Sequence, residues 1–243
     1  MQETVKPYNK EDGGKKQQVS KMFDNIAPYY DFLNRLLTLR IDVLWRKKAI
    51  KELEATQPKR ILDVATGTAD VAIMMAKQLK VDKIIGMDIS KEMLAVGRKK
   101  VLKKELADTI TLEHGDSENL PYEDNSFDAA TVAFGVRNFE DLKKGLSEIK
   151  RVIKPGGQLV VLEFSKPTMF PFKQGFNFYF KYILPLIGRI TSKDPKAYDY
   201  LYRSVQVFPD GDAFLDILQQ TGFNNTKCKQ LSLGICSIYT AQR

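Results

Sequence analysis

The stretch Ile61-Leu-Asp-Val-Ala-Thr-Gly-Thr-Ala-Asp70 decides the fold. A short apolar run from Arg60 to Ala65 ends in a turn around Gly67, and Val71 to Leu79 then reads as a helix. Strand, glycine turn and helix in that order open an α/β sheet, in which ligands bind beyond the carboxyl ends of the strands where strand order reverses. Gly67 lets the backbone approach a ligand closely. The helix start at Ala69 or Asp70 offers free N–H groups that suit a carboxylate.

The same alternation continues downstream. Lys83 to Asp88 is a second strand, and Ser90 caps the next helix, with Glu92 in its first turn. Thr109 to Glu113 and Phe127 to Phe134 are strands three and four. Leu142 to Val152 is helical and ends before Lys154-Pro-Gly-Gly157, and Gln158 to Phe164 is strand five. This rhythm predicts a mostly parallel sheet covered by helices on both faces. A helix over Asp212 to Thr221 and a hairpin of two strands, Phe223 to Gln230 and Ile235 to Gln242, complete seven strands.

Upstream of the decisive stretch the period is helical. Phe23, Ile26, Tyr30, Leu33 and Leu37 recur at spacings of 3, 4, 3 and 4. Pro28 divides that face between two short helices, and a further helix covers Ile41 to Glu54 with Trp45 on its buried side. Residues 1–16 read as a flexible tail and 17–243 as one domain. Residues 165–205 break the α/β rhythm with Phe170, Phe172, Phe176, Phe178, Tyr179, Phe180 and Tyr182, and read as a helical cap inserted over the sheet's edge.

Composition narrows the function classes. The chain has 243 residues, 43% of them hydrophobic, enough for one domain with a sizeable core. The net charge of +8 is open to three readings: an ordinary solvated surface, an anionic membrane surface, or nucleic acid. The densest basic set is Arg98, Lys99, Lys100, Lys103 and Lys104 on one helix, with no RNA-binding module or arginine-rich arm, so no nucleic-acid partner is expected. Two cysteines, Cys228 and Cys236, form no disulfide framework and suit a reduced, cytoplasmic setting. No stretch approaches the ~18 apolar residues of a membrane span. No metal is expected, since neither cysteine has metal-ligand neighbours.

The strand ends nominate the site. Asp88 ends strand two, 21 residues past Gly67, where a carboxylate can accept both hydroxyls of a ribose. Asp63 and Asp116 lie at or near two other strand ends; for each of the three the alternative is a helix cap or a surface turn. An NAD site shares the Asp88 feature, but G-x-G-x-x-G is absent, and one glycine is poor provision for a pyrophosphate.

These residues resemble the class I methyltransferase fold, whose first motif usually reads D-x-G-x-G-x-G; here Asp63, Ala65, Gly67 and Ala69 stand at those positions. A closer resemblance is to the menaquinone/ubiquinone biosynthesis C-methyltransferase family. It is carried by Met22-Phe-Asp-Asn-Ile-Ala-Pro-Tyr-Tyr-Asp31 with Asn34, Trp45-Arg46, Leu62-Asp-Val-Ala-Thr-Gly-Thr68, Phe134-Gly-Val-Arg-Asn138 and Leu162-Glu-Phe-Ser-Lys-Pro167, and runs from about Val19 to Gln242. That family commonly has Ala at position 65; Ala69 departs from it, and an alanine at a helix N-terminus is expected to adopt the needed conformation.

The resemblance implies S-adenosylmethionine as cofactor, contacted by Thr68, Asp88, Asp116 and Ser117, with Ala133 at a further contact position. It implies methylation of a ring carbon of a prenylated hydroquinone, demethylmenaquinol ahead of the ubiquinone precursor. The enzyme must align carbon, methyl and sulfur, and stabilise or form a phenolate. Arg137 and Asn138, after strand four, lie where substrate should sit; Arg137 can lower a phenol's pKa by its charge, or pair with Glu140 or Asp141. Glu163, ending strand five, can accept a proton, or serve as a cap or ion-pair partner. The one histidine, His114, falls on the adenine side and is not expected to be the base. Tyr29 and Tyr30 cover the cofactor or pack in the core.

The aromatic segment from Phe170 to Ile187 either lines a groove for a prenyl chain or dips into a membrane interface, with Lys173 and Lys181 at the headgroups; a plain helical subdomain is the alternative. Another class I methyltransferase acting on a different lipid or phenol, an NAD-type oxidoreductase, and a cofactor-binding module without catalysis are the competing functions. The sequence leaves oligomeric state open, a homodimer included.

Overall fold

Seven strands form one sheet in the order β3-β2-β1-β4-β5-β7-β6, parallel except for β7, which runs antiparallel to both β5 and β6. The strands are β1 Arg60–Val64, β2 Lys83–Asp88, β3 Ile110–His114, β4 Phe127–Ala133, β5 Ile153–Phe164, β6 Asn224–Leu231 and β7 Cys236–Gln242. The helices are α1 Lys15–Ile26, α2 Tyr30–Leu37, α3 Ile41–Lys51, α4 Asp70–Gln78, α5 Lys91–Lys103, α6 Leu142–Val152, α7 Phe172–Phe178, α8 Lys196–Val207 and α9 Asp212–Gln220. The computed structural model describes residues 5–8, 13–183 and 196–243. The α/β architecture expected from the sequence is the one observed, and strand order reverses between β1 and β4.

The central strands are buried on both faces because their side chains alternate between two cores. Ile61 packs with Ala72, Met75 and Leu94 under α4 and α5, while Leu62 and Val64 pack with Leu146, Ile149 and Phe214 under α6 and α9. Asp63 shares the face of Ile61 and pairs across the ladder with Thr131. The pairing of β4 with β5 starts at Phe127 and Ile153, earlier than Gln158, and the Lys154-Pro-Gly-Gly157 stretch bulges before regular pairing resumes at Ala129 and Gln158. A Cβ on Gly157 would lie 2.6 Å from the Asp128 carbonyl oxygen, so only glycine fits that return.

Two features differ from expectation. Part of the supposed tail is tied down: Pro7 is buried, the Tyr8 amide donates to Gln18 Oε1 at 2.9 Å, and helix α1 already begins at Lys15. The polar composition of that stretch misleads because its contacts are made by backbone groups and by the lysines Lys6, Lys15 and Lys16. The inserted segment also does more than cover the sheet's edge. Phe176, Ala197, Tyr198 and Tyr200 form a third core with Val19, Met22 and Leu33, so the cap and the N-terminal helices make one roof over the strand ends. The part of the cap expectation falling on 184–195 lies outside the described residues.

Candidate functional site

The loop after β1 is shaped by three consecutive alternate residues in the left-handed region: Ala65 at φ 55°, Gly67 at φ 56° and Ala69 at φ 64°. Ala69 is therefore not an ordinary helical alanine; it takes the conformation glycine would favour, at a cost of about 1–2 kcal/mol. Its methyl is fully buried among core side chains, which offsets part of that cost. A Cβ on Gly67 would meet nothing within 4 Å, so the backbone there faces open space.

Two aspartates hold the loop. Asp63, 1% exposed, accepts hydrogen bonds from Thr131 Oγ1 and Thr66 Oγ1, both at 2.6 Å. Burial raises its pKa to about 6, against the pull of the two hydroxyls. Each of its oxygens accepts one bond within the protein, which braces the loop from beneath. Asp88 accepts from the Gly67 amide and the Ser90 amide, each at 2.8 Å. Burial raises its pKa, opposed by those backbone N–H groups. A carboxylate has about four acceptor positions, so Asp88 keeps capacity for ligand hydroxyls.

Two narrow clefts flank Gly67. One, of about 70 Å³, is lined by Asp88, Asp116, Ser117, Ala133 and Asn138 among others; the second, of about 30 Å³, by Asp63, Thr68, Asp70 and Ala133. A third cavity of about 790 Å³ adjoins them, walled mainly by apolar side chains of α1 to α3 and the cap, with Arg137 and Arg46 among its few charged groups. Tyr30 lines all three spaces, and Phe23 and Phe134 line both the 70 Å³ cleft and the large cavity. Tyr29 is 42% exposed and lines none of these three, so of the tyrosine pair only Tyr30 reaches the site.

Helix α1 lies across the larger of the two clefts, where Lys16, Val19 and Phe23 form part of the wall. Lys15 Nζ donates to the carbonyls of Phe139 at 2.6 Å and Arg137 at 3.1 Å, and its amide donates to Glu140 Oε1 at 2.9 Å. Burial lowers the pKa of Lys15 to about 8. Lys16 Nζ bridges Asp116 at 2.7 Å and Glu118 at 3.0 Å. On the other side Thr68 Oγ1 donates to Asp31 of α2, and Lys100 Nζ reaches Asp31 at 2.6 Å, Thr68 Oγ1 at 3.0 Å and also Asp70. Arg46 adds Asp42 at 2.8 Å and Asp70 at 3.2 Å. The loop is thereby fastened to α2, α3 and α5 at once.

Past β4, Phe134 at φ 58° turns the chain into a 3-10 turn, Val136–Asn138. Arg137 does not pair with Glu140 or Asp141. Its Nη1 donates to Glu163 Oε1 at 2.7 Å and to the Phe134 carbonyl at 2.6 Å. Glu163 is 0% exposed and does not line the large cavity, so it cannot meet a substrate there; it holds Arg137 at the wall. Burial raises the Glu163 pKa, and the Arg137 charge opposes it. Asn138 accepts from the Tyr200 hydroxyl of the cap at 3.1 Å and lines the larger of the two clefts rather than the large cavity. His114 is exposed, with Nε2 3.1 Å from the Ile89 carbonyl oxygen, away from all three spaces.

Sequence reading missed Lys15, Lys16, Asp31 and Lys100. Asp31 stands inside a quoted motif without a role, and Lys100 sits in a basic helix face that nothing in its period distinguishes from solvated surface. Their partners are 30 to 125 residues away, beyond the reach of any local pattern.

The chain matches the model of the ubiE/COQ5 methyltransferase family over residues 11–243. It is 49% identical over 242 residues to the demethylmenaquinone methyltransferase of Bacteroides fragilis, covering 100% of this chain and 98% of that one. It is 45% identical to the ubiquinone/menaquinone biosynthesis C-methyltransferase UbiE of Geotalea daltonii, over 94% of this chain and 97% of that one. Among solved structures a SAM-dependent methyltransferase of Thermotoga maritima superposes with a TM-score of 0.65 at 20% identity, over 91% of this chain and 98% of the other, a likeness of fold. With the family model and full-length relatives in agreement, the chain belongs to the ubiE/COQ5 methyltransferase family.

Proposed function

We propose that this chain transfers a methyl group from S-adenosylmethionine to a ring carbon of a prenylated hydroquinone, converting demethylmenaquinol to menaquinol. One observation carries the reading: a large apolar cavity opens beside the Gly67 clefts, sharing Tyr30 with both and Phe134 with the larger. An apolar space of about 790 Å³ suits a fused ring and the start of an isoprenoid tail, and suits no hydrophilic substrate.

The cofactor is S-adenosylmethionine, which supplies an activated sulfonium methyl. The residues present fit it: open backbone at Gly67, the N-terminus of α4, and Asp88 with spare acceptor capacity beside Asp116 and Ser117. Thr68 acts through its tie to Asp31 and Lys100. Ala133 gives the shared wall of the two clefts. Arg137, fixed by Glu163, places a guanidinium where a ring hydroxyl would sit and favours its ionised form, which makes the adjacent carbon nucleophilic. Tyr30 and Phe134 keep water from the junction of cleft and cavity.

The experiment is methyl transfer from labelled S-adenosylmethionine to reduced short-chain analogues of demethylmenaquinol and of the ubiquinone precursor, assayed side by side. Ring-methylated naphthoquinol as the main product is the expected result. Preference for the ubiquinone precursor would move the chain to that pathway, and transfer to neither would overturn the quinol assignment.

A further inference from the structure

Eleven of the fourteen large apolar side chains exposed among the described residues fall in two short segments, 29–44 and 169–182. Leu36, Leu39 and Ile41 of the first and Phe172 of the second also line the large cavity. The two segments are therefore the lips of its mouth. A spread of single exposed leucines needs no explanation, but concentration around one opening marks an interaction surface. The turn between α2 and α3 presents its side chain outward at some cost: Leu39 at φ 49° and Arg40 at φ 65° are non-glycine residues in the left-handed region, and Leu39 is 79% exposed.

Charge selects the partner. From Tyr29 to Lys51 there are two acids, Asp31 and Asp42, and both are consumed internally, by Lys100 and by Arg46. Arg40, Lys47, Lys48 and Lys51 on that stretch are exposed. From Met169 to Ile183 there is no acid, and Lys173 and Lys181 are exposed. An apolar rim backed by cations is the pattern of a segment that settles into the headgroup region of an anionic bilayer. Two copies meeting at this face would set like charges against each other. No helix among the described residues is long and apolar enough to cross a membrane, so the contact would be one of docking.

We propose that the α2–α3 corner and α7 together form a docking surface for an anionic lipid bilayer, and that the mouth of the large cavity opens onto it. A water-insoluble quinol then enters sideways from the bilayer, and its tail stays in lipid during reaction. The docking stands on the surface itself, while the entry route rests on the quinol reading above.

The test is flotation of the full chain with vesicles of phosphatidylcholine alone and with about one-third phosphatidylglycerol. The comparison variant carries Phe32→Ser, Leu44→Ser and Phe178→Ser, three exposed residues that do not line the cavity. Wild type should float with anionic vesicles and weakly with neutral ones. The variant should bind about tenfold less or weaker. It should keep wild-type melting temperature and wild-type turnover on a short-chain quinol, yet lose turnover on a long-chain quinol held in vesicles. Equal binding of variant and wild type, or no wild-type binding to anionic vesicles, would overturn the proposal. So would a concentration-dependent dimer that the three substitutions abolish. Failure of turnover on the short-chain quinol would instead strike the functional reading and leave the flotation result standing.

Discussion

Asp63 illustrates what a strand-end aspartate becomes once it is buried. It was legible as a site residue, and its two hydroxyl donors, Thr66 and Thr131, make it a brace beneath the loop that also lines the smaller cleft. An acid whose pKa rises on folding, from 3.8 to about 6, holds its proton more tightly in the folded chain. Between about pH 4 and about pH 6 the unfolded chain has released that proton and the folded chain has not, so stability falls as pH rises through the window. The contribution is about 3 kcal/mol in all. Denaturant melts of wild type and Asp63→Asn across that range should show the gap between them changing by about this amount, and then staying level above about pH 7. A gap independent of pH would mean that Asp63 is ionised throughout. The Arg137–Glu163 pair is the second residue-scale case. Each was readable as a strand-end candidate, but their mutual ion pair was not, because 26 residues separate them. Arg137→Ala should lower turnover by about 100-fold or more while cofactor affinity is nearly unchanged. Glu163→Gln should cost about 3–5 kcal/mol of stability, because it leaves a buried guanidinium without its counter-ion. Equal loss of turnover and cofactor affinity in Arg137→Ala would count against a role in the chemistry.

At the scale of elements, the strands and helices of the sheet were legible because each obeys one period and carries its own punctuation. Ser90 caps α5 by accepting from the Met93 amide, and Asp141 does the same for α6 through Lys144. The cap and the N-terminal strap were not legible in the same way. Their helices bury residues against each other, so the apolar pattern tells of burial without naming the partner. Lys15 carries no local cue that sets it apart from a tail, yet it fastens α1 to the loop bearing Arg137. Lys15→Met should take the donor from two carbonyls, the one on Phe139 buried, and cost about 1–3 kcal/mol. Amide exchange read by mass spectrometry should accelerate in 13–26 and 136–140 and stay slow in β1, β4 and β5. Uniform acceleration across the chain would mean that α1 is part of the global core and not a separable cover.

For the whole molecule, the strand reversal between β1 and β4 places the clefts, and the roof of α1, α2 and the cap encloses the space next to them. The sheet and the location of the cleft follow from the sequence alone. The size of the apolar cavity does not, since it is set by how the roof segments stand off the strand ends. Helix α1 walls the larger cleft with Lys16, Val19 and Phe23. S-adenosylmethionine at about 100 times its Kd should stabilise the chain by about 2.7 kcal/mol. Asp88→Asn should remove most of that gain in a thermal shift assay without unfolding the apo protein. An unchanged gain would displace Asp88 from the cofactor site.

Cofactor and quinol should occupy adjoining spaces that meet at Tyr30 and Phe134. A crystal structure of the ternary complex with S-adenosylhomocysteine and a demethylmenaquinol analogue tests it most directly. The thioether is expected in the Gly67 clefts, the quinol ring in the large cavity with one oxygen beside Arg137, and the unmethylated ring carbon facing the sulfur. A quinol bound outside the large cavity, or a ring turned so that this carbon faces away from the sulfur, would contradict it.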